Sequence, residues 1–222
     1  MLMNLSFVFV SIYCLFKRKG NEDMKYENKT ALLIIDMQRG ATVRGGRNFY
    51  ETNERLFQDG FAEKVDEMRR DGCLIVHVYT SGEANGLTSS PHSRNPELTG
   101  RNMRDQPTVD RSDDIDERIH IEESDIILRK FTYSAFWGTP LLRLLQQKGV
   151  ENVLISGEKT NVCCRQTAID AVSHCFKTYV IEDMTATNND EIKQYHLDEF
   201  NRYFAKVLNS EEVIKRLKNK DF

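Results

Sequence analysis

Asp36, Lys130 and Cys163 are polar residues that each stand where a short apolar run has just ended, and together they hold the parts of nucleophilic acyl chemistry. Ala31-Leu32-Leu33-Ile34-Ile35 stops at Asp36, and Asp125 to Arg129 stops at Lys130. Asn152 to Ile155 closes on Ser156-Gly157, and Cys163 follows in the first turn of the next helix. A carboxylate can take the proton of a thiol, and an ammonium can hold the thiolate as an ion pair. The free N–H groups of a turn entering a helix favour a thiolate and can also receive an oxyanion. Each residue alone has an ordinary reading: Asp36 as a turn or helix-capping aspartate, Lys130 as a solvated side chain, Cys163 as a small buried hydrophobe. The coincidence of all three just past strand ends favours a site, because open α/β sheets bind ligands beyond the carboxyl ends of their strands. No G-x-S-x-G competes for the nucleophile, and neither G-x-G-x-x-G nor G-x-x-x-x-G-K-[ST] occurs.

Parallel strands alternating with helices are the elements that could bring these residues to one edge. Residues 31–35 form a continuous apolar run, as a strand buried on both faces requires. Glu54 to Arg70 carries Leu56, Phe57, Phe61, Val65 and Met68 at helical spacing and ends at Asp71-Gly72, which predicts one helix. Cys73 to Thr80 is a second strand, with His77 read as a packed core histidine. The third strand is Asp125 to Arg129, and a helix from about Thr139 to Lys148 follows with Pro140 in its first turn. Thr160 or Asn161 caps the helix after the fourth strand, whose apolar positions are Val162, Ile169, Val172 and Phe176. Thr178 to Ile181 is a fifth strand, Asp190 to Tyr203 a helix, Ala205 to Leu208 a short sixth strand, and Glu211 to Leu217 a closing helix. Ser81 to Ser124 is long, polar and contains Pro91, Pro96 and Pro107, the pattern of a lid or binding segment. Arg94, Arg101, Arg104 and Arg111 are its candidates for a substrate carboxylate.

The chain has 222 residues and a formal net charge of −3, with both signs spread along it, so neither a nucleic-acid surface nor an acidic tail is expected. Its five cysteines include an adjacent pair and no C-x-x-C, which points away from a disulfide framework or zinc site and toward a reducing, cytoplasmic compartment. Leu5 to Phe16 is almost wholly apolar and is followed by Lys17, Arg18 and Lys19. That run is too short for a spanning helix, which needs ~20 residues. Membrane association is therefore expected, if anywhere, only through residues 5–19 as a surface anchor with a basic flank. Residues 1–23 are otherwise read as an extension outside the fold, and residues 24–222 as the domain.

LLIIDMQ at 32–38, LRKFTYSAFWGTPL at 128–141, SGEKTNVCCRQTAIDA at 156–171 and VIEDMTAT at 180–187 together resemble the isochorismatase-like cysteine hydrolases, in the family's order and over most of residues 30–208. The resemblance implies a three-layer α/β/α fold with a six-stranded parallel sheet in the order 3-2-1-4-5-6. It implies a triad of Asp36, Lys130 and Cys163, and a cis peptide joining Glu158 to Lys159. An oxyanion hole made by the N–H groups of Lys159 and Cys163 follows, with Gln38, Tyr133, Phe136 and Thr160 as substrate contacts. Neither a cofactor nor a metal is expected. The place where nicotinamidases of this family carry Asp-x-His reads Thr80-Ser81-Gly82, so nicotinamide is disfavoured. The expected activity is cleavage of a C–N bond in a small amide, carbamoyl or ureido substrate through a thioester, by a homo-oligomer. Two alternatives stay open: a vinyl-ether hydrolase relying on Asp36 alone, and a catalytically silent binding protein of the same fold.

Overall fold

Strand β1 (Thr30–Ile35) is buried along its whole length, and its side chains alternate between two separate apolar cores. Ala31, Leu33 and Ile35 join one cluster, while Leu32 and Ile34 join the other. This period-two alternation is what a strand covered on both faces must show. The computed structural model describes residues 29–80 and 108–222. The extension 1–23, the proposed membrane contact at 5–19, and Arg94, Arg101 and Arg104 lie outside the described residues.

After β1 come α1 (Arg39–Thr42), α2 (Glu51–Gln58), α3 (Phe61–Arg70), β2 (Leu74–Thr80) and β3 (Ile126–Lys130). Then follow α4 (Leu141–Gln147), β4 (Asn152–Glu158), a π-helical turn (Thr160–Cys164), α5 (Arg165–Ser173) and β5 (Lys177–Ala186). The chain closes with α6 (Asp190–Glu199), a second π-helical turn (Phe200–Phe204), β6 (Lys206–Leu208) and α7 (Ser210–Asn219). All strand pairings are parallel, in the order β3-β2-β1-β4-β5-β6. Leu141, Leu145, Ala168, Ala171 and Leu197 bring α4, α5 and α6 onto one face. Leu56, Phe61, Val65, Val213 and Leu217 bring α2, α3 and α7 onto the other, which completes three layers.

Several details differ from the sequence reading, among them the expected cap at Thr160 or Asn161: Lys159 precedes the turn instead, with no side-chain cap. The helix expected over 54–70 is two helices, because the chain reverses at Asp59-Gly60 with Gly60 at φ 80°, a conformation open to glycine. Pro140 precedes α4 as its cap residue and is not inside it. Val172 is 40% exposed rather than core-facing: the wide turn 160–164 breaks the 3.6-residue phase, so positions counted from Val162 do not carry into α5. Strand β5 runs to Ala186 and not to Ile181. Its polar pair Glu182-Asp183 marks a register shift, after which pairing with β4 resumes at Gly157–Thr185. Asp183 is held there by Lys64 Nζ at 2.9 Å and the Ser210 N–H at 2.7 Å.

The end of β4 is the tightest point of the sheet. Gly157 lies opposite Ile35 at φ 99°, and a Cβ added to it would fall 2.1 Å from the Ile35 carbonyl oxygen. Glu158 follows, 5% exposed, with one carboxylate oxygen accepting from Asn53 Nδ2 at 3.0 Å, which ties α2 to β4. Burial, joined by the charge of Asp36, pushes the Glu158 carboxyl from 4.5 up to about 7, against the opposing pull of Asn53.

Two expectations follow from this strand end. Gly157→Ala should cost about 3 kcal/mol or more, read as a lowered urea midpoint or loss of soluble protein, because left-handed strain and a backbone clash coincide. Folded Glu158 keeps its proton where an unfolded glutamate loses it. The stability it confers is therefore full below about pH 4.5 and lost as pH rises through about 7. Wild type should lose on the order of 3 kcal/mol across that window, and Glu158→Gln should flatten this part of the profile. Urea melts of both proteins on either side of the window would measure the difference.

Candidate active site

The parallel register sets Asp36, Thr80 and Lys130 at one edge of the sheet. Thr80 pairs with Lys130 across β2 and β3, while Ile35, just before Asp36, pairs with Val78 and Gly157. Asp36 takes φ 51°, a left-handed turn that aspartate tolerates, with its N–H donating to the Val78 carbonyl at 2.8 Å. Lys130 is the last residue of β3 rather than the one beyond it, and only 2% of its side chain is exposed.

Lys130 Nζ lies 2.9 Å from Asp36 Oδ2 and 3.5 Å from Cys163 Sγ. It also donates to the Thr132 carbonyl at 2.9 Å and to Thr80 Oγ1 at 2.8 Å. The Thr80 hydroxyl in turn donates to Asp36 Oδ1 at 2.9 Å. The three residues singled out by sequence are thus brought together, with a fourth threaded between two of them. Burial weakens the Lys130 ammonium, but Asp36 and Cys163 outweigh it and hold the lysine charged well above its ordinary range.

Cys163 sits in the π-helical turn, ahead of α5 rather than in its first α-helical turn, and the residue as a whole is half-buried. Burial, then the negative charge of Asp36, pushes its thiol well up. Lys130 pulls the other way, and the thiol hydrogen bond to Asp36 further favours the protonated form. The balance of these causes runs toward the thiol, against the thiolate that a helix start beside a lysine suggests. Cys164 points elsewhere: it is fully buried, with Sγ 3.8 Å from the Ser156 carbonyl. The peptide joining Glu158 to Lys159 is cis, and the Lys159 carbonyl accepts from the N–H groups of Val162 and Cys164, passing over that of Cys163.

The expected substrate contacts fare unevenly. Tyr133 is half-buried, and burial followed by the neighbouring Cys163 raises its phenol. Gln38 is occupied instead by backbone: Nε2 donates to the carbonyls of Thr80 at 2.8 Å and Asp113 at 2.6 Å, and Oε1 accepts from the Thr80 N–H at 2.9 Å. It braces β2 and the segment 112–116 against the end of β1, with both amide protons committed. Phe136 belongs to the core, 6% exposed with its ring 5.4 Å from His174 and 6.0 Å from Phe176. Thr160 is fully buried, so it lies under the turn and not on an open wall. Arg111 pairs with Asp114 at 2.6 Å on the surface.

Thr80 and Asn53 escaped the sequence reading. Thr80 closes an apolar strand in the way Asp36 and Lys130 do, so the same strand-end rule would have found it. Asn53 lies in a helix far from any strand end and carries no such signal. Among the described residues no group of three His, Cys, Asp or Glu side chains is arranged to hold a metal, and no helix is long and apolar enough to cross a membrane. His77 is 1% exposed and bound through Nε2 to Asp125 at 2.9 Å.

Comparison with known proteins bears on the same stretch of chain. Maleamate amidohydrolase of Pseudomonas putida is 25% identical over 204 residues, covering 87% of this chain and 89% of that protein. An uncharacterized isochorismatase family protein of Bacillus subtilis is 32% identical over 187 residues, 84% of this chain and 97% of its own. The crystal structure of a cysteine hydrolase from Pseudomonas syringae superposes with a TM-score of 0.77 at 20% identity, covering 90% of this chain and 97% of that one, and shares the fold. The sequence profile of the Isochorismatase domain matches residues 30–212. The chain belongs to the isochorismatase family of hydrolases.

Proposed function

We propose that this protein is an amide hydrolase that cleaves the C–N bond of a small amide, carbamoyl or ureido compound with Cys163 as nucleophile. The observation that carries the reading is the meeting of Asp36, Lys130 and a half-buried Cys163 within hydrogen-bond reach of one another. Similarity to maleamate amidohydrolase supports the bond type.

In the first half-reaction Asp36 accepts the Cys163 thiol proton as the sulfur attacks the amide carbon. The electron pair of the carbonyl moves onto oxygen, and the N–H groups of Lys159 and Cys163 are the donors we assign to that oxyanion. As the tetrahedral species collapses, the C–N bond breaks and Asp36 returns the proton to the leaving nitrogen, releasing ammonia or an amine. In the second, Asp36 takes a proton from water, whose oxygen attacks the thioester carbon. The C–S bond breaks, the sulfur regains the proton, and the acid departs. The net change is amide plus water to acid plus ammonia or amine. Lys130 stays an ammonium throughout, so the site holds one positive charge against a negative charge that moves between Asp36, the sulfur and the substrate oxygen. Thr80 orients both members of the ion pair.

Cys163→Ala should lower turnover of a small amide by a factor on the order of 10³ or more and abolish the acyl adduct seen by intact-protein mass spectrometry. A variant with undiminished activity would overturn the mechanism, and full activity in Cys163→Ser would shift it to Asp36 acting alone. Thr80→Val should leave the fold intact by circular dichroism and lower kcat by about 10- to 100-fold, since the ion pair then loses its shared hydroxyl.

A further inference from the structure

The first turn of α2 packs against the nucleophile turn in a way the mechanism above does not use. Asn53 binds Glu158, Thr52 donates to the Thr187 carbonyl, and the Thr187 hydroxyl donates to Asn161 Oδ1 at 2.6 Å. Tyr50, at the start of that helix, meets Lys159. Its hydroxyl accepts from Lys159 Nζ at 2.8 Å, and the ammonium stands 4.4 Å from the ring centroid.

Lys159 is half-buried and, among the described residues, makes no ion pair. A partly desolvated ammonium without an anion is costly, and an aromatic face offsets only part of that cost. Tyr50 takes one of its three donors, which leaves two for a ligand oxygen. Neighbouring cations are already matched. Tyr50 also lines a cleft of about 470 Å³ with Arg44 and Arg55, but those guanidinium groups pair with Glu51 and Asp190, each at 2.7 Å. The nearest carboxyl in sequence, Glu158, feels the Lys159 charge but takes its hydrogen bond from Asn53, and its raised range keeps it protonated up to about pH 7. Lys159 also lies one turn from the sulfur, its carbonyl bound by the N–H groups flanking Cys163.

Resting on the Cys163 reading above, we propose that the Lys159 ammonium, held against Tyr50, recognises a carboxylate, so that the substrate is an anionic amide bearing an acid group beside its scissile bond. Tyr50 holds the charge in place until the ligand anion replaces part of that contact.

The test compares matched pairs of equal length, an acid-amide and its neutral diamide: malonamate with malonamide, succinamate with succinamide, glutaramate with glutaramide. The full-length enzyme should show a higher kcat/KM for the acid member of at least one pair. Lys159→Met should lower that acid-to-neutral ratio by about 10- to 100-fold, and Lys159→Arg should keep most of it. Using the ratio removes any shared loss caused by disturbing the turn. Equal turnover of both members by wild type, or a ratio unmoved in Lys159→Met, overturns the assignment of Lys159 and leaves the Cys163 mechanism standing. Absence of turnover and of any Cys163 adduct across all pairs, and with N-carbamoylglycine and its amide as a ureido pair, overturns the hydrolase reading itself.

Discussion

An ion pair at the edge of the sheet governs everything around it. Lys130 and Asp36 are almost fully withdrawn from water and 2.9 Å apart. Desolvating two charges costs several kcal/mol each, and their attraction offsets this only when the remaining donors and acceptors are also satisfied. Here they are, through the Thr80 hydroxyl and the Thr132 carbonyl. Buried pairs of this kind are weak sources of stability, since apolar residues of the same volume often do as well, so their presence is better accounted for by chemistry. In the proposed mechanism the pair also accounts for how a thiol that resists losing its proton to solvent acts as a nucleophile. Ionising Cys163 outward would leave a net negative charge in a buried site. Passing the proton to Asp36 leaves the net charge unchanged, and Lys130 faces one anion before the transfer and one after it.

The sheet makes that arrangement possible by making its strands end together. Gly157 is held against the Ile35 carbonyl, so β1 and β4 approach more closely than any side chain would permit, and the cis peptide and nucleophile turn begin one residue later. On the other side, Gln38 pins the Thr80 backbone to the end of β1. Without these two contacts the carboxylate, the hydroxyl and the sulfur would sit on strands of similar direction but unrelated reach.

The strands were readable because a strand buried on both faces must be written as an apolar run, and the residue that stops the run is visible for that reason. Asp36, Lys130 and the Gly157 turn all announce themselves in this way. Places where two structural signals overlap were not readable. Glu182-Asp183 looks like the end of a strand because polar residues usually leave a sheet, yet here they occupy a register shift and are matched by Lys64 and Ser210. The apolar spacing of 54–70 looks like one helix because Phe57 and Phe61 remain neighbours, 5.8 Å between ring centroids, across the Gly60 reversal. Phe136 and Gln38 were assigned to substrate by resemblance, and only contacts from distant segments show that one is core and the other a backbone brace. For Cys163 the two levels pull apart: neighbours in sequence favour a thiolate, whereas burial, a tertiary property, opposes it.

The same distinction separates the two halves of the site. The groups assigned to the chemistry come from strand ends and from the turn that follows one, where topology and register leave little freedom. The opposing wall comes from the meeting of residues 50–53 with 158–161, two segments joined only by side-chain contacts. Of these residues only Glu158 belongs to a strand, so the others can change without touching a strand pairing. A fold built this way can hold its bond-breaking machinery constant while exchanging what it recognises. Lys159 stands at the boundary: its backbone belongs to the turn that positions the sulfur, while its side chain reaches across to α2.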